Sequence, residues 1–269
     1  MSIEYAPRGF IGMLTPQANT TVEPECSILF PAGVGLLSAR LTSAQPTIEG
    51  RLIDYFDTLD TSVLQFGNAP LRALGFACTG ASYLAGRQRE DEVFQRLSQR
   101  CGYHVTSSAL AVVDALHALC ASNIALVSPY PDSLTVQSVG YWQSRGFSVR
   151  AVAKVGDAAG HVAGDAHPIY GLGSDAAMRG LASLRGQEFD AVVMLGTGMP
   201  TLGAILATPQ VDGAPVLSCM LALAWRCVGN LEGVGCSAAS LLAWIGGSDW
   251  RKRMQDSSLL AHGGTLNAP

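Results

Sequence analysis

Lysine occurs only twice in the chain, at Lys154 and Lys252, and all charged residues together make up 14% of it, with a formal net charge of −4. Binding to nucleic acid or to an anionic membrane surface needs clustered cations, so neither partner is expected. No apolar run approaches the ~20 residues that span a bilayer. The opening MSIEYAPRGFIGMLTP has neither the basic start nor the long apolar stretch of a secretory signal, and the expected location is cytoplasmic. The seven cysteines are odd in number and none stands in CxxC spacing, which indicates neither a disulfide framework nor a zinc site. Five histidines are scattered; His161 and His167 form the nearest pair, with no third ligand beside them. A GxGxxG ahead of a helix and a Walker sequence are both missing. No metal, nucleotide or nicotinamide cofactor is expected.

What the chain has in plenty is apolar residue. Hydrophobic side chains make up 48% of it and mean hydropathy is positive, more than an isolated monomer with a wetted surface usually carries; a homo-oligomer is expected. Its 269 residues suffice for two domains of about 100–150 residues. Short runs of Val, Ile, Leu and Ala alternate with helical patterns, which predicts βα units on mainly parallel sheets. Strands are expected at Phe10–Leu14, Gly35–Leu41, Ala73–Ala77, His104–Thr106, Ile124–Val127, Ser148–Val152, Ala191–Leu195 and Pro215–Leu217. Helices are expected at Arg51–Phe66, Glu90–Gln99, Leu110–Leu119, Leu134–Arg145, Ser174–Leu184 and Leu221–Val228.

The chain also repeats itself. ALGFACTGASYLAG (Ala73–Gly86) is answered by AVVMLGTGMPTLGA (Ala191–Ala204), IGMLTPQAN (Ile11–Asn19) by IALVSPYPD (Ile124–Asp132), and VTSSALA (Val105–Ala111) by VLSCMLA (Val216–Ala222). The three pairs are collinear, offset by 118, 113 and 111 residues. They predict an α/β fold of two quasi-symmetric Rossmann-like (flavodoxin-like) domains with parallel sheets. The first takes residues 1–115 joined by the C-terminal segment 220–269, the second residues 116–219. Ligands of such sheets sit beyond the C-terminal strand ends, so the active site is expected in the cleft between the domains. The Gly-, Ala-, Asp- and His-rich loop Asp157–Gly173 interrupts the repeat and, with Gln45–Leu52, is expected to shape the end of the substrate away from its carboxylate. Gly-Gly and Pro mark the last residues, Ser257–Pro269, as a tail.

One position of the repeat differs in chemistry, since Cys78 falls opposite Gly196. Cys78 follows an apolar strand and precedes Thr79-Gly80, which predicts a strand-to-helix turn whose amides favour the thiolate, the form that acts as nucleophile or base. The other reading is a buried structural cysteine; Gly196 counts against it, because the same fold forms there without one. Thr79-Gly80 and Thr197-Gly198 each pair a hydroxyl with a glycine that lets backbone approach a ligand. Two such loops can hold carboxylate oxygens, although both threonines also suit turn and cap roles. Asn19 and Tyr130 fall at the predicted cleft, while Thr20, Thr21 and Asp132 suit caps as well as anion binding. Cys219, after the last matched strand, is read as structural but within reach of the cleft.

On the duplicated domains and the stretches TPQANTTVEPE, ACTGASYLAG, SPYPD and GTGMPTLGAI, the chain resembles the aspartate/glutamate racemase superfamily, in the branch of maleate cis-trans isomerase and arylmalonate decarboxylase, from about Gly9 to Val228. The resemblance implies a cofactor-free enzyme acting on a small carboxylate held between the domains. It makes Cys78 the first catalytic cysteine, Asn19 the ligand-binding asparagine and Tyr130 the tyrosine that follows Ser/Thr-Pro. It puts Thr79, Gly80, Thr197 and Gly198 in the substrate-binding loops, with Gly196 in the place of a second cysteine. A two-base racemase needs a group on each face of the carbon, so racemisation is the least expected chemistry. One cysteine suffices for isomerisation of a small unsaturated dicarboxylate through covalent addition of Cys78, the expectation adopted because the Asn19 loop is most like that branch. The alternatives are decarboxylation of a malonate with Cys78 as proton donor, giving the chirality opposite to the known decarboxylase; a thioester-forming amide hydrolase; and a degenerate carboxylate-binding protein.

Overall fold

The computed structural model describes residues 3–156 and 168–257. The first part of the loop Asp157–Gly173, with His161 and His167, and all of the C-terminal tail after Ser257 lie outside these residues. The first half of the chain runs β1 (Gly9–Pro16), α1 (Val22–Leu29), β2 (Val34–Leu41), α2 (Ile48–Asp57), α3 (Leu59–Ser62), β3 (Leu71–Phe76), α4 (Thr79–Ala85), α5 (Arg87–Cys101), β4 (His104–Ser107) and α6 (Ser108–Ala118). The second half runs β5 (Asn123–Ser128), α7 (Asp132–Ser144), β6 (Ser148–Lys154), α8 (Ser174–Ser183), β7 (Ala191–Met194), α9 (Leu202–Ala207), β8 (Gln210–Val211), β9 (Ala214–Ser218), α10 (Cys219–Glu232), α11 (Ala238–Ile245) and α12 (Arg251–Asp256).

The strands form two sheets, β2-β1-β3-β4 and β6-β5-β7-β9-β8. Every pairing is parallel except β8 with β9. The duplication is therefore topological: β1, β3 and β4 hold the same places in the first sheet as β5, β7 and β9 in the second, and these are the strands of the three repeated sequence pairs. Central strands covered on both faces need continuous apolar sequence rather than alternation, which is why AVVM of β7 is buried at all four positions. Helix α10 crosses back to pack on β1, β3 and α6 of the first sheet. Among the described residues no helix is long and apolar enough to cross a membrane.

Three local features differ from the periodic reading. The helix expected over Arg51–Phe66 is interrupted at Thr58, where the Asp54 carbonyl accepts both the Thr58 N–H at 2.9 Å and its hydroxyl at 2.7 Å, a back-bond that bends helices; α3 and a 3-10 turn over Val63–Phe66 follow. The hairpin β8–β9 turns on Asp212-Gly213, both at positive φ, the Asp-Gly signal of a tight hairpin that strand periodicity overlooks. Helices α9, α11 and α12 are too short to declare a period, although α11 carries a Ser237–Ser240 capping box.

Candidate active site

In each sheet the chain first winds to one side of its leading strand, from β1 to β2 and from β5 to β6, and then crosses to the other side at β3 and β7; ligand crevices open at such a switch point. The loops leaving β1, β3, β5 and β7 meet there around one pocket. The loop after β1 contributes Asn19, that after β3 Cys78, Thr79 and Gly80, that after β5 Tyr130, and that after β7 Thr197 and Gly198. Helix α2 adds Ile48, Arg51, Leu52 and Tyr55, and the short turn Pro168–Gly171 adds Ile169 and Tyr170. The cavity has a volume of about 50 Å³, room for a few waters at roughly 10–15 Å³ each.

Cys78 is the N-cap of α4 and only 4% exposed. The Ala81 N–H faces its sulfur and favours the thiolate, but burial is the larger effect and pushes the thiol up to about 12. Burial therefore favours the protonated thiol, contrary to what a helix N-terminus alone predicts.

The two halves are tied directly across the pocket by the residues singled out from the sequence. Thr197 Oγ1 donates to the Ala77 carbonyl at 2.7 Å. Asn19 Nδ2 donates to the carbonyl and the hydroxyl of Thr197, both at 3.2 Å, while its Oδ1 accepts from Thr21 N and Val22 N and so caps α1. Thr21 Oγ1 donates to the Gly198 carbonyl at 2.7 Å. Beneath this layer Glu25 of α1 accepts from the backbone of Thr201 and Leu202 at the start of α9, at 2.6 and 3.3 Å. Asn19 and Thr197 line the pocket with much of their hydrogen-bonding capacity already committed to holding the halves together. Asp132, the counterpart of Asn19 in the repeat, stands apart from the pocket and pairs with Lys154.

The glycines are explained by close packing. A Cβ on Gly198 would lie 2.5 Å from the Tyr170 ring and one on Gly80 would lie 3.1 Å from Leu52, so Tyr170 and α2 close down on the two Thr-Gly loops. Gly196 has φ +83°, and a Cβ there would lie 2.8 Å from Ile169 Cδ1 and 3.1 Å from the Tyr130 hydroxyl. Where the first loop carries Cys78, the space beside the second is filled by the phenol of Tyr130. Burial holds that phenol well above its ordinary range, and the Thr79 hydroxyl lowers it in part. Cys219 is fully buried beneath these loops and does not line the pocket. Its thiol is pushed up to about 11 by burial, against the Thr79 hydroxyl and the Gly196 N–H. Its counterpart in the repeat, Ser108, bonds Thr79 Oγ1 at 2.8 Å.

Arg51, Tyr55, Ile169 and Tyr170 are not named individually by the sequence reading, although the segments Gln45–Leu52 and Asp157–Gly173, which hold all but Tyr55, are expected from it to shape the site. The signal for the first two was present: Ile48, Arg51, Leu52 and Tyr55 have the i, i+3, i+4, i+7 spacing of one helix face. Ile169 and Tyr170 lie in a turn without periodicity, and only the fold brings them to the pocket.

A duplicated, doubly wound α/β chain with one cysteine in the crevice between its sheets defines a class. The chain belongs to the arylmalonate decarboxylase family, whose sequence profile matches residues 11–241. It is 27% identical over 232 residues to the maleate isomerase of Nocardia farcinica, covering 82% of this chain and 90% of that protein. A cysteine-to-serine mutant of Nocardia farcinica maleate cis-trans isomerase, with a covalently bound succinylcysteine intermediate, superposes with a TM-score of 0.73 at 27% identity, over 83% of this chain and 93% of that one. Arylmalonate decarboxylase shares the fold at 18% identity and a TM-score of 0.64, over 84% and 94%.

Proposed function

We propose that this chain isomerises a small cis-unsaturated dicarboxylate, as maleate isomerase does, with Cys78 as the covalent nucleophile. The observation that carries the reading is that Cys78 is the one thiol lining the pocket among the described residues, in a chain similar to an isomerase whose structure holds a succinylcysteine. The Cys78 thiol passes its proton to solvent as sulfur bonds to one alkene carbon, and the π pair moves onto the other carbon and its carboxylate. The N–H and O–H groups around the pocket stabilise that charge. Tyr130, still protonated and standing beside Gly196, supplies a proton to the second carbon. The resulting single bond rotates; the phenolate takes a proton back, the double bond reforms in the trans geometry, and the C–S bond breaks, the leaving sulfur recovering its proton from solvent.

One observation favours a second reading. Burial favours the protonated Cys78 thiol, the state a proton donor needs, and the family's name is that of a decarboxylase. In that reaction a malonate loses carbon dioxide and Cys78 protonates the enediolate.

Intact-mass analysis with proton NMR of the small molecules, on maleate and on substituted malonates, decides between them. Isomerisation gives fumarate and an adduct of maleate mass on Cys78, and Cys78→Ser loses at least about a thousandfold in turnover, the scale on which removal of a covalent nucleophile is felt. Carbon dioxide released from a malonate without an adduct replaces the first reading by the second. Turnover surviving in Cys78→Ser rejects both.

A further inference from the structure

Helix α2 turns Ile48, Arg51, Leu52 and Tyr55 toward the pocket. Three of these are what an inward helical stripe requires; the fourth is a guanidinium. Several arginines of the chain are matched to carboxylates, as Arg40 is to Glu23, Arg89 to Asp57 and Arg145 to Glu90 and Asp91. Among the described residues Arg51 has no carboxylate partner: Nη1 donates to the neutral Gln45 carbonyl at 3.3 Å, which steadies the side chain without neutralising it. Among the described residues no other lysine or arginine lines the pocket. The charge of Arg51 is felt at the hydroxyls of Tyr55 and Tyr170, which also feel the Cys78 sulfur, so cation, phenols and thiol face one small space.

We propose that Arg51 holds the second carboxylate of the substrate while the loops around Cys78 hold the first, so that the site selects small dianions over monoanions. This rests on the dicarboxylate reading above and deepens it. A partly buried cation without a counterion is costly to keep, and a guanidinium meets a carboxylate through two parallel N–H···O bonds. The apolar side chains on either side of Arg51, Ile48 and Leu52, exclude water from that contact and strengthen it.

The test compares maleate with maleamate, the same skeleton with one carboxylate converted to a neutral amide. Arg51→Gln lowers kcat/KM for maleate about 30-fold, mainly through KM, and leaves maleamate within about threefold, the effect expected of one charge-assisted contact. Arg51→Lys recovers part of the loss. An equal fall on both substrates, or no fall on maleate, overturns the proposal. Calorimetric binding of succinate, a dianion with no double bond to attack, separates this inference from the isomerase reading. Succinate bound by the wild type but not by Arg51→Gln, in a protein that does not turn maleate over, keeps Arg51 and rejects the isomerase. Succinate bound equally by both, or by neither, rejects the role given to Arg51.

Discussion

Cys78 and Gly196 show how much one position of a repeat can be changed by its surroundings. At Cys78 the α4 amide favours the thiolate and burial opposes it, and burial wins because desolvating a full charge outweighs one hydrogen bond. At Gly196 the backbone itself excludes a second cysteine, since φ is +83° and Ile169 and Tyr130 fill the side-chain volume. Gly196→Cys is therefore expected to destabilise the protein by about 2–4 kcal/mol, from the unfavourable φ and the overpacking together. Aspartate racemisation does not appear. Urea unfolding and polarimetry of aspartate check the two parts, and a variant as stable as the wild type contradicts the packing account.

Among the elements, α1 and α9 are short helices whose N-termini are satisfied by groups outside the usual cap position. Asn19 caps α1 from two residues before its N-cap Thr21, and Glu25 of α1 caps α9 across the pocket. Asn19→Ala removes the cap and the two bonds to Thr197 together, at an expected cost of about 1–3 kcal/mol. The urea midpoint measures it; an unchanged midpoint with a raised KM would make Asn19 a ligand group alone. The break at Thr58 belongs to the same scale. Periodicity carries the apolar stripe of α2 onward toward Phe66, whereas the regular helix ends at Thr58, whose N–H and hydroxyl both bond the Asp54 carbonyl.

For the molecule as a whole, Glu25 makes the union of the halves pH-dependent. Burial raises its carboxyl from 4.5 to about 7, against the hydrogen bonds from Thr201 and Leu202. Below pH 4.5 the group is neutral whether the chain is folded or not. Between 4.5 and about 7 the folded form keeps a proton that the unfolded form has released, so stability falls as pH rises. Above about 7 both are ionised and the loss is complete, on the order of 3 kcal/mol at about 1.4 kcal/mol per pKa unit. Glu25→Gln keeps an acceptor for the Thr201 N–H and cannot ionise, so its melting temperature is expected to fall less than that of the wild type between pH 5 and pH 8. Parallel melting curves for the two proteins would reject the clamp as the source of the pH dependence.

The sequence by itself determined the duplicated α/β architecture, because strand periodicity and the three collinear repeats report the backbone pattern, and that pattern fixes which strand ends form the crevice. It also marked Cys78, Asn19, Tyr130 and the Thr-Gly loops, all of which sit at strand ends. Only the tertiary structure decided the state of the thiol, because a pKa depends on burial by residues from distant parts of the chain. It likewise decided that Tyr130 fills the space beside Gly196, that Tyr170 and Leu52 are what press on Gly198 and Gly80, and that Arg51 faces the pocket without a carboxylate partner among the described residues. These are distances between side chains far apart in sequence, and no local spacing encodes them.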